Sequence, residues 1–224
     1  MAYILNIETS TKNCSVCVSK NNTLISLVEE ASENYSHGEQ LHVFIEQAID
    51  KAGISLKDID AIAVGKGPGS YTGLRIGISA AKGLCFSLDK PLISISSLAI
   101  LAQSVEIDKG FIVPTIDARR MEVYSAVYNQ DYELERKVKA EIIDENSLSQ
   151  YFLKDQVYLV GDGAKKCESV LDQNNLTIIE QYPSAKYMID LAYNKYKISD
   201  IEDVAYFEPY YLKDFVVTPQ KKLL

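Results

Sequence analysis

The chain has no tryptophan and only 2 histidines, 4 cysteines and 6 prolines among its 224 residues. Each scarcity excludes something. Cys14, Cys17, Cys85 and Cys167 are too few and too scattered for a disulfide framework. Reduced thiols and a cytoplasmic location are the expectation. His37 and His42 stand five apart, which on a helix leaves them about 140° apart around the axis, so they cannot share an ion. Cys14-x-x-Cys17 resembles half a zinc site, but no second cysteine pair follows. Its stretch alternates like a strand, on which residues three apart point to opposite faces. No metal is expected. No run reaches the ~20 apolar residues of a membrane span, and the longest uncharged run, Pro91 to Val105, carries several serines. The opening has neither a basic region nor a cleavage site, so no signal peptide is expected. An excess of basic charge is also missing. Lys+Arg is 23 against Asp+Glu 31, a net charge of −8, which argues against a stand-alone nucleic-acid binder. A Gly-x-Ser-x-Gly nucleophile elbow is absent as well.

What is present is globular. Hydrophobic residues make up 47% and charged residues 24%, and the length suits one large or two small domains. Three alternating stretches open the chain: Tyr3–Thr9, Cys14–Lys20 and Thr23–Glu30, with Lys12-Asn13 and Asn21-Asn22 as turns. Ser36-His37-Gly38-Glu39 has the form of a capping box. Helical spacing of Leu41, Phe44, Ile45, Ala48, Ile49 and Ala52 follows, closed by Gly53. Then come strand 59–65, helix 72–88, strand 91–95 and helix 97–105. From Gly110 the order repeats: strands 111–117, 122–128 and 133–143, a short helix at 146–152, strand 157–160, helix 164–171, strand 176–179 and helix 184–195. Element order repeats although the residues do not. Two α/β lobes are therefore expected, 1–106 and 107–224. The irregular tail from Asp200 is expected to pack back through Tyr206, Phe207, Tyr210, Tyr211 and Phe215.

The most specific segment is Gly65-Lys66-Gly67-Pro68-Gly69-Ser70-Tyr71-Thr72-Gly73-Leu74-Arg75-Ile76-Gly77. A strand ends, a glycine-proline turn follows, and Ser70 or Thr72 caps a helix. Amides at such a helix start can hold an anion. Gly73, Gly77 and Ala81 put small residues on one face, which permits close packing. Two readings stand: a tightly packed strand-turn-helix corner, or a phosphate loop built from Ser10, Gly67, Gly69, Ser70 and Gly73. A Walker A loop is excluded, because its Gly-Lys-Ser/Thr ending is missing.

The run Gly67–Gly77 resembles the signature of the TsaB (YeaZ) family. So do Ile7-Glu8-Thr9-Ser10-Thr11, Tyr35-Ser36-His37, Leu159-Val160-Gly161-Asp162-Gly163-Ala164 and Pro209-Tyr210-Tyr211-Leu212-Lys213-Asp214-Phe215. The resemblance covers the whole chain. It implies the α/β actin/Hsp70-like (ASKHA) fold of two ribonuclease-H-like lobes with mixed sheets. It also implies a non-catalytic subunit that activates the paralogous transferase TsaD. With TsaD and the ATPase TsaE, that subunit serves to place threonylcarbamoyl on N6 of adenosine 37 in tRNAs reading ANN codons. A homodimer when alone, and contact with tRNA only through the complex, are implied too.

Actin-like ATPases carry Asp-x-Gly-Thr where this chain has Glu8-Thr9-Ser10-Thr11, which argues against ATP hydrolysis. No catalytic residue and no cofactor of its own are expected, weak or shared nucleotide binding aside. The rival reading is a small actin-like ATPase or kinase with an atypical phosphate loop. The partner surface is expected on the two first-lobe helices: His37, Leu41, Phe44, Ile45, Ala48, Tyr71, Leu74, Arg75, Ile78, Ala81 and Cys85. Their apolar faces look wider than one sheet needs, and arginine at Ile78 or Ala81 is expected to weaken the contact.

Overall fold

The computed structural model describes residues 1–32, 37–171 and 173–213. Ser36 of the capping box and Phe215 of the tail lie outside the described residues. The chain forms two five-stranded sheets. In the first, β1 (Tyr3–Glu8), β2 (Asn13–Lys20) and β3 (Thr23–Ala31) form an antiparallel meander. Asn21 adopts a left-handed φ of 54° at its turn, a conformation asparagine tolerates. After α1 (His37–Ala52) and a 3₁₀ turn, β4 (Ala61–Gly67) pairs parallel with β1. After α2 (Tyr71–Leu88), β5 (Leu92–Ser96) pairs parallel with β4. The strand order is β3-β2-β1-β4-β5.

A helix, α3 (Ser97–Ala102), leads into the second lobe. There β6 (Phe111–Asp117), β7 (Glu122–Asn129) and β8 (Leu134–Ile142) form another meander. After α4 (Ser149–Phe152) and α5 (Ala164–Cys167), β9 (Val157–Val160) and β10 (Leu176–Ile179) complete the order β8-β7-β6-β9-β10. The expected repeat of element order is thus a repeat of topology. The helices differ: α1 and α2 run 16 and 18 residues, whereas α4 and α5 are 4 residues each.

Cores form on both sides of each sheet. On one face of the first sheet, Leu5, Ile7, Val16 and Val64 meet Leu41, Phe44, Ile45, Ala48, Ile78, Ala81 and Cys85 of α1 and α2. On the other, Ile4, Ala61, Ala63, Ile93 and Ile95 meet Ala185, Met188, Ile189 and Ala192. Cys14 lies in the first of these cores and Cys17 in the second, as strand alternation requires.

That second face corrects the expected domain boundary. Residues 184–195 are expected in the second lobe from their place in the sequence, yet the 3₁₀ turn Ala185–Met188 and α6 (Ile189–Lys197) pack on the first sheet. The physical reason is that a parallel-containing sheet must be covered on both faces, and α3 is too short to cover the second face by itself. A polar cluster fixes the docking: the Ser184 hydroxyl donates to Glu29, the Ser15 hydroxyl donates to Glu29 at 3.0 Å, and the Ala185 amide donates to Ser15 at 2.9 Å. α3 itself joins the lobes, with Leu98, Leu101 and Ala102 packed against Ile112, Ile116, Ala126 and Val160 of the second sheet.

Candidate functional site

The lobes face each other across a cleft of about 850 Å³. Its walls are the β1–β2 turn (Ser10–Lys12), the start of α2 (Pro68–Leu74), the β6–β7 hairpin (Asp117–Arg120), Asp162 and the tail (Tyr210–Lys213). The proposed phosphate loop lies here, but its glycines serve the protein first. A Cβ at Gly69 would sit 2.3 Å from the Ser10 carbonyl oxygen, at Gly73 2.1 Å from the Thr9 carbonyl oxygen, and at Gly77 2.2 Å from Thr9 Oγ1. The start of α2 therefore lies directly on the β1–β2 turn. The Ser70 amide donates to the Ser10 carbonyl at 2.7 Å, and Thr9 Oγ1 donates to the Gly73 carbonyl at 2.8 Å. Ser70 caps α2 by accepting the Gly73 amide at 3.3 Å. These glycines set a backbone-on-backbone seam, the close-packing reading of the motif. Gly67 stands with φ 99° under the tail, where a Cβ would lie 3.3 Å from the Tyr210 carbonyl oxygen.

Glu8 is fully buried behind this seam. It accepts the Ser10 amide at 2.6 Å and the Ser97 hydroxyl at 3.2 Å. A Cβ on Gly65 would lie 2.1 Å from its Oε2. Burial raises its pKa above the ordinary 4.5, against the donors of Ser10 and Ser97. Glu8 is fully buried and is not among the residues that line the cleft.

The second lobe repeats the seam. A Cβ on Gly161 would meet the Thr115 carbonyl oxygen at 2.0 Å, and the Gly163 amide donates to that same carbonyl at 3.2 Å. The hairpin beyond turns through Arg119 and Arg120 at φ 70° and 54°. Lys166 holds it, bonding the Asp117 carboxylate, the Arg120 carbonyl at 3.0 Å and the Glu122 carbonyl at 2.6 Å. Asp162 accepts the Asp117 amide at 3.0 Å. Burial, followed by the Asp117 charge among the raising influences, lifts the Asp162 pKa above its ordinary value.

His37 is buried, with Nε2 2.7 Å from the Thr11 carbonyl oxygen, and burial lowers its pKa. His42 is exposed. Among the described residues no three His, Cys, Asp or Glu side chains are grouped to hold a metal ion.

Of the residues assigned to a partner surface, Leu41, Phe44, Ile45, Ala48, Leu74, Ile78, Ala81 and Cys85 are buried in this chain. The apolar faces of α1 and α2 are taken up by the first sheet. Arginine at Ile78 or Ala81 would therefore test folding and not docking. Tyr71 and Arg75 stand at the cleft edge: the Arg75 guanidinium lies 4.1 Å from the Tyr71 ring centroid and donates to Tyr211 at 3.0 Å. Beside that face α2 carries a different row, Thr72, Ile76, Ser79, Gly83 and Phe86, spaced 4-3-4-3; Thr72, Ser79, Gly83 and Phe86 are exposed, while Ile76 is half-buried against the first core. Phe86 is 87% exposed, and nothing lies within 4 Å of a Cβ built on Gly83. The sequence reading missed this row because only the burial of the opposite face reveals it. Val43 on α1 is also exposed. No described helix is long and apolar enough to cross a membrane.

Comparison with known proteins fits this frame. The chain is 31% identical over 225 residues to the tRNA threonylcarbamoyladenosine biosynthesis protein TsaB of Escherichia coli, with 95% of each covered. It belongs to the TsaB (YeaZ) family. YeaZ from Pseudomonas aeruginosa superposes on 95% of this chain and all of its own, with 29% identity and a TM-score of 0.84. Residues 28–217 match the family model described as TsaD, tRNA N6-adenosine threonylcarbamoyltransferase. TsaB kinship extends to such a transferase from Staphylococcus haemolyticus, 43% identical over 112 residues, which are 43% of this chain and 32% of that one. The fold is accordingly the two-lobed α/β, actin-like one.

Proposed function

We propose that this chain is a non-catalytic subunit in tRNA threonylcarbamoyladenosine biosynthesis, and that it acts by docking a paralogous TsaD-type transferase on the outer face of α1 and α2. The observation that carries the reading is the outward row on α2. A 4-3-4-3 spacing is the period of a helix–helix seam. Ser79 and Gly83 let a second helix approach closely, and Phe86 supplies an exposed apolar anchor. A paralogue with the same first-lobe helices can present a matching pair, giving a pseudo-two-fold contact. Without the transferase, a second copy of this chain takes the same place. TsaE joins the resulting complex, and tRNA is reached only through it, as the net charge of −8 suggests. The transfer itself, to N6 of adenosine 37 in tRNAs reading ANN codons, belongs to the transferase.

The burial of Glu8 supports this against the ATPase reading, because a carboxylate with no exposed surface already spends its oxygens on the Ser10 amide and the Ser97 hydroxyl. The test is size-exclusion chromatography with light scattering, on this chain alone and with the TsaD-type transferase of the same organism. A heteromeric peak that Gly83→Arg abolishes is expected. No complex with the wild-type chain would overturn the docking proposal. Threonylcarbamoylation of tRNA by this chain alone, given threonylcarbamoyl-AMP, would overturn the non-catalytic one. Nucleotide binding measured by calorimetry and lost in Ser10 or Gly69 variants would revive the ATPase reading.

A further inference from the structure

The two sides of the inter-lobe cleft are closed by different chemistry. At the back, α3 joins the sheets through Leu98, Leu101 and Ala102, all buried. At the front, the closing element is the tail. It leaves α6, pairs with the edge of β5 through the Glu202 amide and the Leu92 carbonyl at 2.8 Å, and then runs along α2. Lys82 holds it there through the carbonyls of Ala205, at 3.2 Å, and Phe207, at 2.9 Å. Val204 and Phe207 pack on the first core. Beyond this anchor the tail runs to the cleft mouth, where Arg75 also donates to Tyr211 at 3.0 Å. The Tyr210 amide donates to the Lys66 carbonyl at 2.8 Å, and Tyr211 stacks on Tyr71 with ring centroids 5.2 Å apart. Lys213 then crosses to the second lobe and pairs with Glu122, the first residue of β7.

We propose that residues 210–213 are a latch that holds the lobes closed across the cleft mouth, and that its release opens the cleft while α3 keeps the lobes joined. Three features carry this. The segment lines the cleft and touches both walls. Its link to the second lobe is a partly exposed ion pair, with Lys213 37% exposed and also 5.9 Å from the Tyr124 ring centroid, a class of contact that is weak and screened by salt. Its upstream anchor on Lys82 and Phe207 keeps a released segment tethered, so it can close again. Lys166 pins the β6–β7 hairpin to its own lobe, so a pull on Glu122 is borne by the lobe and not by the hairpin alone. The apolar contact at the back has no comparable polar weakness, so α3, together with the chain crossing that docks residues 183–197 on the first sheet, keeps the lobes joined. The latch thus gates whatever enters the cleft.

Hydrogen exchange followed by mass spectrometry on the full chain tests this. Lys213→Glu and Glu122→Lys are each expected to raise exchange in residues 117–124 and at the Tyr210 amide about fivefold, without moving the unfolding midpoint. The double charge swap is expected to return exchange to near the wild-type rate. In the wild-type chain, molar salt is expected to raise exchange in the same segments. Unchanged exchange in both single variants, no recovery in the double variant, or no response to salt would each overturn the latch.

Discussion

The two lobes share one sheet topology but not one way of covering it. The first carries α1 and α2, 16 and 18 residues long, on one face, and residues 184–197 with α3 on the other. The second has two 4-residue helices on one face and relies on α3, which follows β5 of the first lobe, for the other. The first lobe thus leaves the outer sides of two long helices exposed. The second depends on the first for part of its core. One device is common to both: a glycine after the fourth strand of the sheet lies on the backbone of the first strand or its turn, at Gly73 on Thr9 and at Gly161 on Thr115. Close backbone contact was retained in both copies, whereas helix length was not.

The hardest way to break the comparison is to fill the shared seam. Gly161→Ala combines a 2.0 Å clash with a φ of 130°, and Gly73→Ala has a 2.1 Å clash with a carbonyl oxygen. Each is expected to destabilise by about 3 kcal/mol or more, Gly161→Ala the more. Urea unfolding of the two variants checks the order. Next comes the dependence of the second lobe on α3. Leu101→Ala should cost about 3 kcal/mol and speed exchange in β6 and β7 more than in β1 and β2. Equal exchange in both sheets would show that the lobes unfold as one unit.

Two carboxylates sharpen the comparison through pH. Burial works against ionisation of Glu29, but Ser184, Ser15, Asn13 and Lys186 outweigh it and hold its pKa below the ordinary 4.5. Its contribution to docking residues 183–186 is therefore present above pH 4.5 and is lost as pH falls through the lowered value. Glu8 has the opposite sign: its raised pKa gives stability that is present below pH 4.5 and lost as pH rises through the folded value. Glu29→Gln should flatten the acid limb of stability against pH, and Glu8→Gln the limb above it. Thermal unfolding from pH 3 to 8 reads both. The smallest effect is expected at Gly83, where Gly83→Ala should stabilise by about 0.5–1 kcal/mol, because α2 gains helix propensity in open space. If the outer row is a docking seam, the same change should weaken complex formation.

Much of this was legible in residue order. Alternation gave the strands to within a few residues, and Cys14 and Cys17 fall in opposite cores as a period of two demands. The Gly67–Gly77 run announced both a tight corner and its family. Legibility failed where a segment's partner is remote in sequence. Nothing local says that residues 184–197 leave the second lobe, because that depends on an uncovered sheet face some 90 residues earlier. Nor does the sequence say which apolar stripe of α1 and α2 is spent on the sheet; the buried and outward rows both have helical spacing.

By itself, then, the sequence determined the elements, their repeated order and the family, since period, turn chemistry and glycine placement act over a few residues. Tertiary structure alone decided which sheet α6 covers, that Glu8 is buried, and that Tyr210–Lys213 spans the cleft. Those outcomes rest on contacts between segments far apart in sequence, such as Asn13 with Pro183, Tyr71 with Tyr211, Lys66 with Tyr210 and Glu122 with Lys213. Burial at such contacts is a property of the assembled chain and of no window within it.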